Sequence, residues 1–181
     1  MNIATIKKYD IANGVGVRVS LFVSGCRHRC PGCFNEVAWD FGYGTPYTGE
    51  TERELLDALR PGYIRGLTLL GGEPFEPENQ AALLSLVERV RRELPEKDIW
   101  CYSGFTFEEL TGGTARCVTP LTRRLLENLD VLVDGRFVGA LADISLVFRG
   151  SSNQRVLDAK ASLAAGAPVL YRLPERMSGG R

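Results

Sequence analysis

With 181 residues, 44% of them hydrophobic and 24% charged, the chain has the size and composition of one folded domain with a single core, which excludes an extended disordered protein. Lysine plus arginine and aspartate plus glutamate both number 22, so no net field favours nucleic acid or an anionic membrane surface as a partner. No apolar run approaches the ~20 residues that span a bilayer, and Met1 to Asp10, with Lys7 and Lys8, lacks the apolar stretch of a secretory signal.

Taken in chain order, Ile3 to Lys8 and Val15 to Val23 carry β-branched and apolar residues on either side of the turn Ala12-Asn13-Gly14, and predict a paired set of strands. The second strand runs directly into a loop holding three cysteines. Thr51 with Glu54 predicts a capping box for a helix that continues to Leu59 and stops at Pro61-Gly62. Leu67 to Leu70 reads as a buried parallel strand that ends in Gly71-Gly72. Pro77 opens a helix with Leu83, Leu86, Val87, Val90 and Leu94 on one face, closed by Pro95. Ile99 to Tyr102 is the next predicted strand. Thr106 and Glu109 predict a second capping box, Pro120 begins a helix with Leu121, Leu125 and Leu126 inward, and Val131 to Val133 predicts a further strand. Val156 to Ala164 predicts a helix, Val169 to Tyr171 a last strand, and Met177 to Arg181 a mobile tail. The alternation of strands and helices predicts a parallel sheet with crossover helices.

Five cysteines, three of them within eight positions, make a poor disulfide framework and a good metal or redox pattern in a reducing compartment, so the expected location is cytoplasmic. Cys26-Arg27-His28-Arg29-Cys30-Pro31-Gly32-Cys33 is a C-x3-C-x2-C string, and thiolates are the usual ligands of iron–sulfur clusters. Three ligands for the four irons of a [4Fe–4S] cluster leave one iron open, as a catalytic metal requires. Two other readings compete. Cys30-Pro31-Gly32-Cys33 resembles a thiol–disulfide motif, which has no need of Cys26. A zinc site could recruit His28, the only histidine, but lacks the second C-x-x-C pair of a zinc ribbon. Cys101, in an apolar strand, reads as a packed thiol, and Cys117 as a spare or reactive one.

The cysteine loop, followed at a strand end by Gly71-Gly72-Glu73-Pro74, resembles the radical S-adenosylmethionine (SAM) superfamily. Three further strings narrow the resemblance: Cys30 through Asn35, Tyr102 through Leu110, and Asp130 through Phe137. They are similar to the activating proteins of anaerobic ribonucleoside-triphosphate reductase, within the group that activates glycyl-radical enzymes. The resemblance implies a partial, open (β/α) barrel of the radical SAM type over residues 1–176, with the side opening admitting a protein substrate. It implies a [4Fe–4S] cluster on Cys26, Cys30 and Cys33, with SAM on the open iron. Its product would be a glycyl radical on the reductase, and its electron would come from a low-potential donor.

In that reading the Gly71 and Gly72 backbone carbonyls, or Glu73, receive the SAM ammonium, and Ser103 and Gly104 touch its ribose or methionyl arm. Asp134 and Arg136, two apart at a strand end, project to one side, Arg136 toward the SAM carboxylate and Asp134 as an orienting or substrate-side acid, a surface ion pair being the competing reading. Phe34 and Asn35 contact adenine, and Ser151 to Gln154 offer polar groups to the ribose. The alternatives are an activase of another glycyl-radical enzyme, a small-molecule radical SAM enzyme, and a zinc or redox interaction module.

Overall fold

The computed structural model describes residues 1–174, so the expected tail at Met177 to Arg181 lies outside the described residues. Strands β1 (Asn2–Asp10) and β2 (Val17–Val23) pair antiparallel around the turn, as expected. Strand β3 (Thr45–Pro46), which carries no sequence signal, adds an edge to β1. Strands β4 (Ile64–Gly71), β5 (Asp98–Ser103) and β6 (Val131–Asp134) follow in parallel beside β2, and β7 (Arg155–Asp158) closes the row antiparallel to β6. The result is one open seven-stranded sheet in the order β3-β1-β2-β4-β5-β6-β7. The expected parallel sheet is therefore mixed: four central strands are parallel and the flanking strands are not.

Helices α1 (Gly49–Leu59), α2 (Pro77–Glu93), α3 (Phe107–Thr111) and α4 (Thr122–Glu127) supply the crossovers, and α5 (Ala159–Ala165) follows the last strand. Helix α1 begins earlier than predicted. Thr48 is its cap, and its hydroxyl accepts from the Thr51 N–H while Thr51 returns the bond, so Thr51 is the third residue of the box rather than the first. Thr106 and Glu109 form the second box as expected. The predicted helix at Val156 to Ala164 divides at Asp158, whose carboxylate accepts from the Ala161 N–H and caps α5. The residues before it pair with β6. Val169 to Tyr171 contributes only a bridge between Leu157 and Leu170 instead of a strand.

Side-chain alternation sorts the strands into two faces. Ile99, Cys101, Leu132 and Leu157 join α2 and α4 residues such as Val87 and Leu125 in the main core. Trp100, Val131, Val133 and Val156 point the other way into a smaller cluster, packed by Val15, Phe148 and Tyr171. The loop after β1 lies over this second face, where Asn13 O accepts from the Thr68 hydroxyl in mid-β4. Arg18 is wholly buried there, bonded to Thr68 and Leu67 O and paired with Asp98. The carboxyl ends of β4, β5 and β6 are left facing the cysteine loop, where open α/β sheets place their chemistry.

Candidate iron–sulfur site

Strand β2 ends at Val23, and the chain then makes a turn whose backbone is held by two partners. Gly25 and Cys26 donate to Ala38 O and Trp39 O, at 2.8 and 3.1 Å, while Gly72 and Glu73 donate to Val23 O and Gly25 O, at 2.7 and 2.9 Å. Gly71 has φ +110°, and a Cβ there would lie 2.7 Å from the backbone of Val23; one on Gly72 would lie 2.6 Å from Gly25 O and 2.9 Å from Ala38 O. The two glycines were expected to make room for a ligand. The space beside Gly71 is filled by the end of β2, and that beside Gly72 by Gly25 and Ala38, which flank the cysteines.

Cys26, Cys30 and Cys33 line one cavity of about 410 Å³, together with Gly71, Gly72 and Glu73. Tyr102, Ser103 and Gly104 close a second side, and Phe137, Phe148 and Arg149 a third. Burial, with the Glu73 carboxylate adding to it, pushes the Cys26 thiol up to about 11, and burial also raises Cys30. Both thiols therefore stay neutral until a cation displaces the proton, which is what a soft metal does to a coordinating thiol. The Asn35 N–H donates to Cys33 Sγ at 3.4 Å, as donors around cluster sulfurs do. The donor set fits a thiolate-bound cluster. Among the described residues no three Cys, His, Asp or Glu side chains are arranged to hold a single metal ion.

His28 does not join the cysteines. Arg136 Nε donates to its Nδ1 at 3.0 Å, so the ring proton lies on Nε2, which donates to Glu73 Oε2 at 3.0 Å. Both nitrogens are used, which removes His28 as a zinc ligand in this arrangement. Glu73 is only 1% exposed and takes four donors: Phe75 N and Ser103 Oγ on Oε1, Gly104 N and His28 on Oε2. Ser103 Oγ in turn accepts from Phe105 N. Ser103 and Glu73 thus line the cavity with polar groups already engaged by protein.

The expectation that Asp134 and Arg136 share one side is corrected. Gly135, at φ +99°, breaks the extended backbone between them, so strand alternation does not carry across. Asp134 is fully buried, with Arg155 Nε on Oδ1 at 2.9 Å and Phe107 N on Oδ2 at 2.7 Å. Arg136 is half-exposed and pairs with Glu109 at 3.1 Å besides His28. Phe34 reaches the cavity wall, Asn35 does not line it and bonds to Cys33 Sγ and, through its carbonyl, to Ala38 N, and of the polar stretch after Gly150 only Gln154 lines the cavity. Cys101 and Cys117 are both fully buried; burial raises the Cys101 thiol and pushes Cys117 up to about 11, which makes Cys117 a packed thiol and not a reactive one.

Arg149 and Tyr102 were not singled out from the sequence. Arg149 lines the cavity with a buried Nε that has no acceptor among the described residues, and Phe148 before it sits at φ +56°. The buried Tyr102 hydroxyl likewise has no partner among the described residues. The adjacency of Arg149 to the polar stretch Ser151 to Gln154 was the available signal.

Residues 12–157 match the family model for a 4Fe-4S single cluster domain. An anaerobic ribonucleoside-triphosphate reductase-activating protein of Pasteurella multocida is 46% identical over 156 residues, covering 85% of this chain and 95% of the relative. The chain belongs to that family of activating proteins. Its Escherichia coli K12 member is 42% identical over 158 residues, covering 86% of this chain and 97% of that one. The activating protein of bacteriophage T4 is 40% identical over 156 residues, 86% and 93% of the two chains. The span of the family model includes the cysteine loop and the strand ends around it. No helix among the described residues is long and apolar enough to cross a membrane.

Proposed function

We propose that the chain is a radical SAM activase that installs a glycyl radical on anaerobic ribonucleoside-triphosphate reductase. The observation that carries this reading is the meeting of Cys26, Cys30 and Cys33 with the Gly71-Gly72-Glu73 turn in one cavity at the carboxyl ends of parallel strands. Cys26, Cys30 and Cys33 would hold the [4Fe–4S] cluster, and bound there and reduced by a low-potential donor it would supply the single electron for reductive cleavage of SAM at its S–C5′ bond, the chemistry that would lead to hydrogen abstraction from a glycine Cα.

The chain's residues bind and orient. Backbone carbonyls at Gly71 and Gly72 accept from the SAM ammonium, while Glu73 fixes the turn that presents them. Arg149 offers to the SAM carboxylate an Nε–H that has no acceptor among the described residues, with Arg136 near the cysteine loop as the second cation. Tyr102 offers an unpaired hydroxyl, and Leu70, Phe137 and Phe148 form dry walls that keep water from the radical. Asp134 acts from behind, holding the start of α3 and the end of β6 in place. Asn35 tunes the Cys33 sulfur. In this reading the open seven-stranded sheet takes the part of a partial barrel, and its unclosed side would admit the reductase loop.

The test is direct. Anaerobically reconstituted protein, reductant, SAM and the reductase should together give a doublet glycyl signal by electron paramagnetic resonance, and Cys30→Ala should abolish it. A silent mixture containing intact cluster and SAM would remove the activase reading.

A further inference from the structure

We propose that His28 is a positioning residue that aims the cysteine loop: by bridging Glu73 and Arg136 it sets the Cys26–Cys30 segment against the ends of β4, β5 and β6. The inference rests on the cluster and SAM reading above.

The imidazole lies between two cluster cysteines in sequence and at the wall of the same cavity, yet its side chain is 2% exposed and both its nitrogens are engaged by protein. It is held on every side. Glu73, from the turn after β4, takes Nε2–H, and Arg136, from the turn after β6, donates to Nδ1. Phe105, just past β5, meets the ring edge-on with centroids 4.3 Å apart. Gly104 is the residue whose missing side chain admits it: a Cβ there would lie 2.5 Å from His28 Cδ2 and 2.7 Å from Nε2. Three strand ends therefore converge on a single ring.

Glu73 gives the arrangement its force. A buried carboxylate with four protein donors loses a charge-sharing hydrogen bond if the ring is removed, and relaxes by drawing on its other partners. Because those partners are the Phe75 N–H, Ser103 and Gly104, any relaxation moves the strand ends relative to Cys26 and Cys30. The sulfurs remain able to bind iron; the position of the open iron relative to the cavity changes. Glutamine can replace both functions of the ring, its amide NH₂ donating to Glu73 and its carbonyl accepting from Arg136. Leucine keeps similar volume and replaces neither.

The experiment uses the full chain reconstituted anaerobically as wild type, His28→Leu, His28→Gln and Gly104→Ala. Iron and sulfide content, the resonance spectrum of the reduced cluster with and without SAM, SAM affinity by equilibrium dialysis, and KM and kcat are measured. Iron content should match in all four. His28→Leu should weaken SAM binding and raise its KM about tenfold or more, with a smaller SAM-induced spectral change, whereas His28→Gln should stay within about threefold of wild type. Gly104→Ala, which retains the histidine but pushes the ring off Glu73, should follow His28→Leu.

Equal SAM affinity in wild type and His28→Leu overturns the proposal, as does a His28→Gln protein as impaired as His28→Leu. Loss of iron from both histidine variants also overturns it, since His28 would then hold the cluster and not aim it. If only His28→Leu loses iron, Gly104→Ala decides, and unchanged SAM affinity there refutes the bridge. A wild-type spectrum that ignores SAM defeats the functional reading instead.

Discussion

Glu108 and Arg155 face each other beside the site, with Arg155 Nη2 to Glu108 Oε2 at 2.7 Å and the same guanidinium on Asp134. The hydrogen bonds from Arg155 hold the Glu108 carboxyl at about 2, below its ordinary 4.5. A depressed carboxyl stabilises the folded state above the unfolded value, and that contribution is lost as pH falls from about 4.5 through about 2. Glu108→Gln should therefore be less stable than wild type at neutral pH, with the gap shrinking as pH falls toward about 2 and closing below it. Because the Glu108 side chain is 55% exposed, screening keeps the neutral-pH gap below ~1 kcal/mol. Urea midpoints at the two pH values measure it, and a gap that persists unchanged in acid would show that the pair is not its source. At this scale the cysteines were legible because their spacing is local. Asp134 and Arg136 were misread because one glycine between them breaks the alternation, and Arg149 was missed because only the folded chain shows that its Nε lacks an acceptor.

The element that most determines the site is the turn after β4. Gly72→Ala puts a methyl group against two backbone oxygens that cannot swing aside, so the cysteine loop has to move. The expected cost is about 1–3 kcal/mol by chemical denaturation, accompanied by reduced iron retention. Gly62→Ala is the control, since nothing lies within 4 Å of its Cβ, and it should be near neutral. If both variants retain iron and stability equally, the close approach is not what the second glycine serves. Elements announced by their own side chains, such as α2 with its apolar face and α3 with its capping box, were readable in advance. Strand β7 was not, because a four-residue stretch with one β-branched residue, abutting a helix cap, has no period of its own and is decided by pairing with β6.

For the molecule as a whole, the cysteine loop is sewn to the fold by protein contacts before any metal is considered. Arg27 joins Glu76 at the start of α2 at 2.7 Å, His28 joins Glu73, and the backbone bonds to Ala38 and Trp39 complete the frame. A cluster bound to this frame and not to the unfolded chain adds its binding free energy to folding. Anaerobic reconstitution should raise the thermal midpoint, and stripping the iron with a chelator should lower it by at least ~5 °C, since ~1 kcal/mol corresponds to ~2–4 °C in a domain of this size. The apoprotein should keep its far-ultraviolet circular dichroism, because the loop's hydrogen bonds and the two apolar clusters on either side of the sheet do not involve the metal. Cys101→Ala should behave like wild type in iron uptake despite its own packing cost, whereas Cys33→Ala should lose the thermal gain. A chelated protein with an unchanged midpoint would mean that the frame gains nothing from the cluster, and a collapsed spectrum would mean that the frame depends on it entirely; the contacts around Glu73 and Glu76 argue for the course between the two.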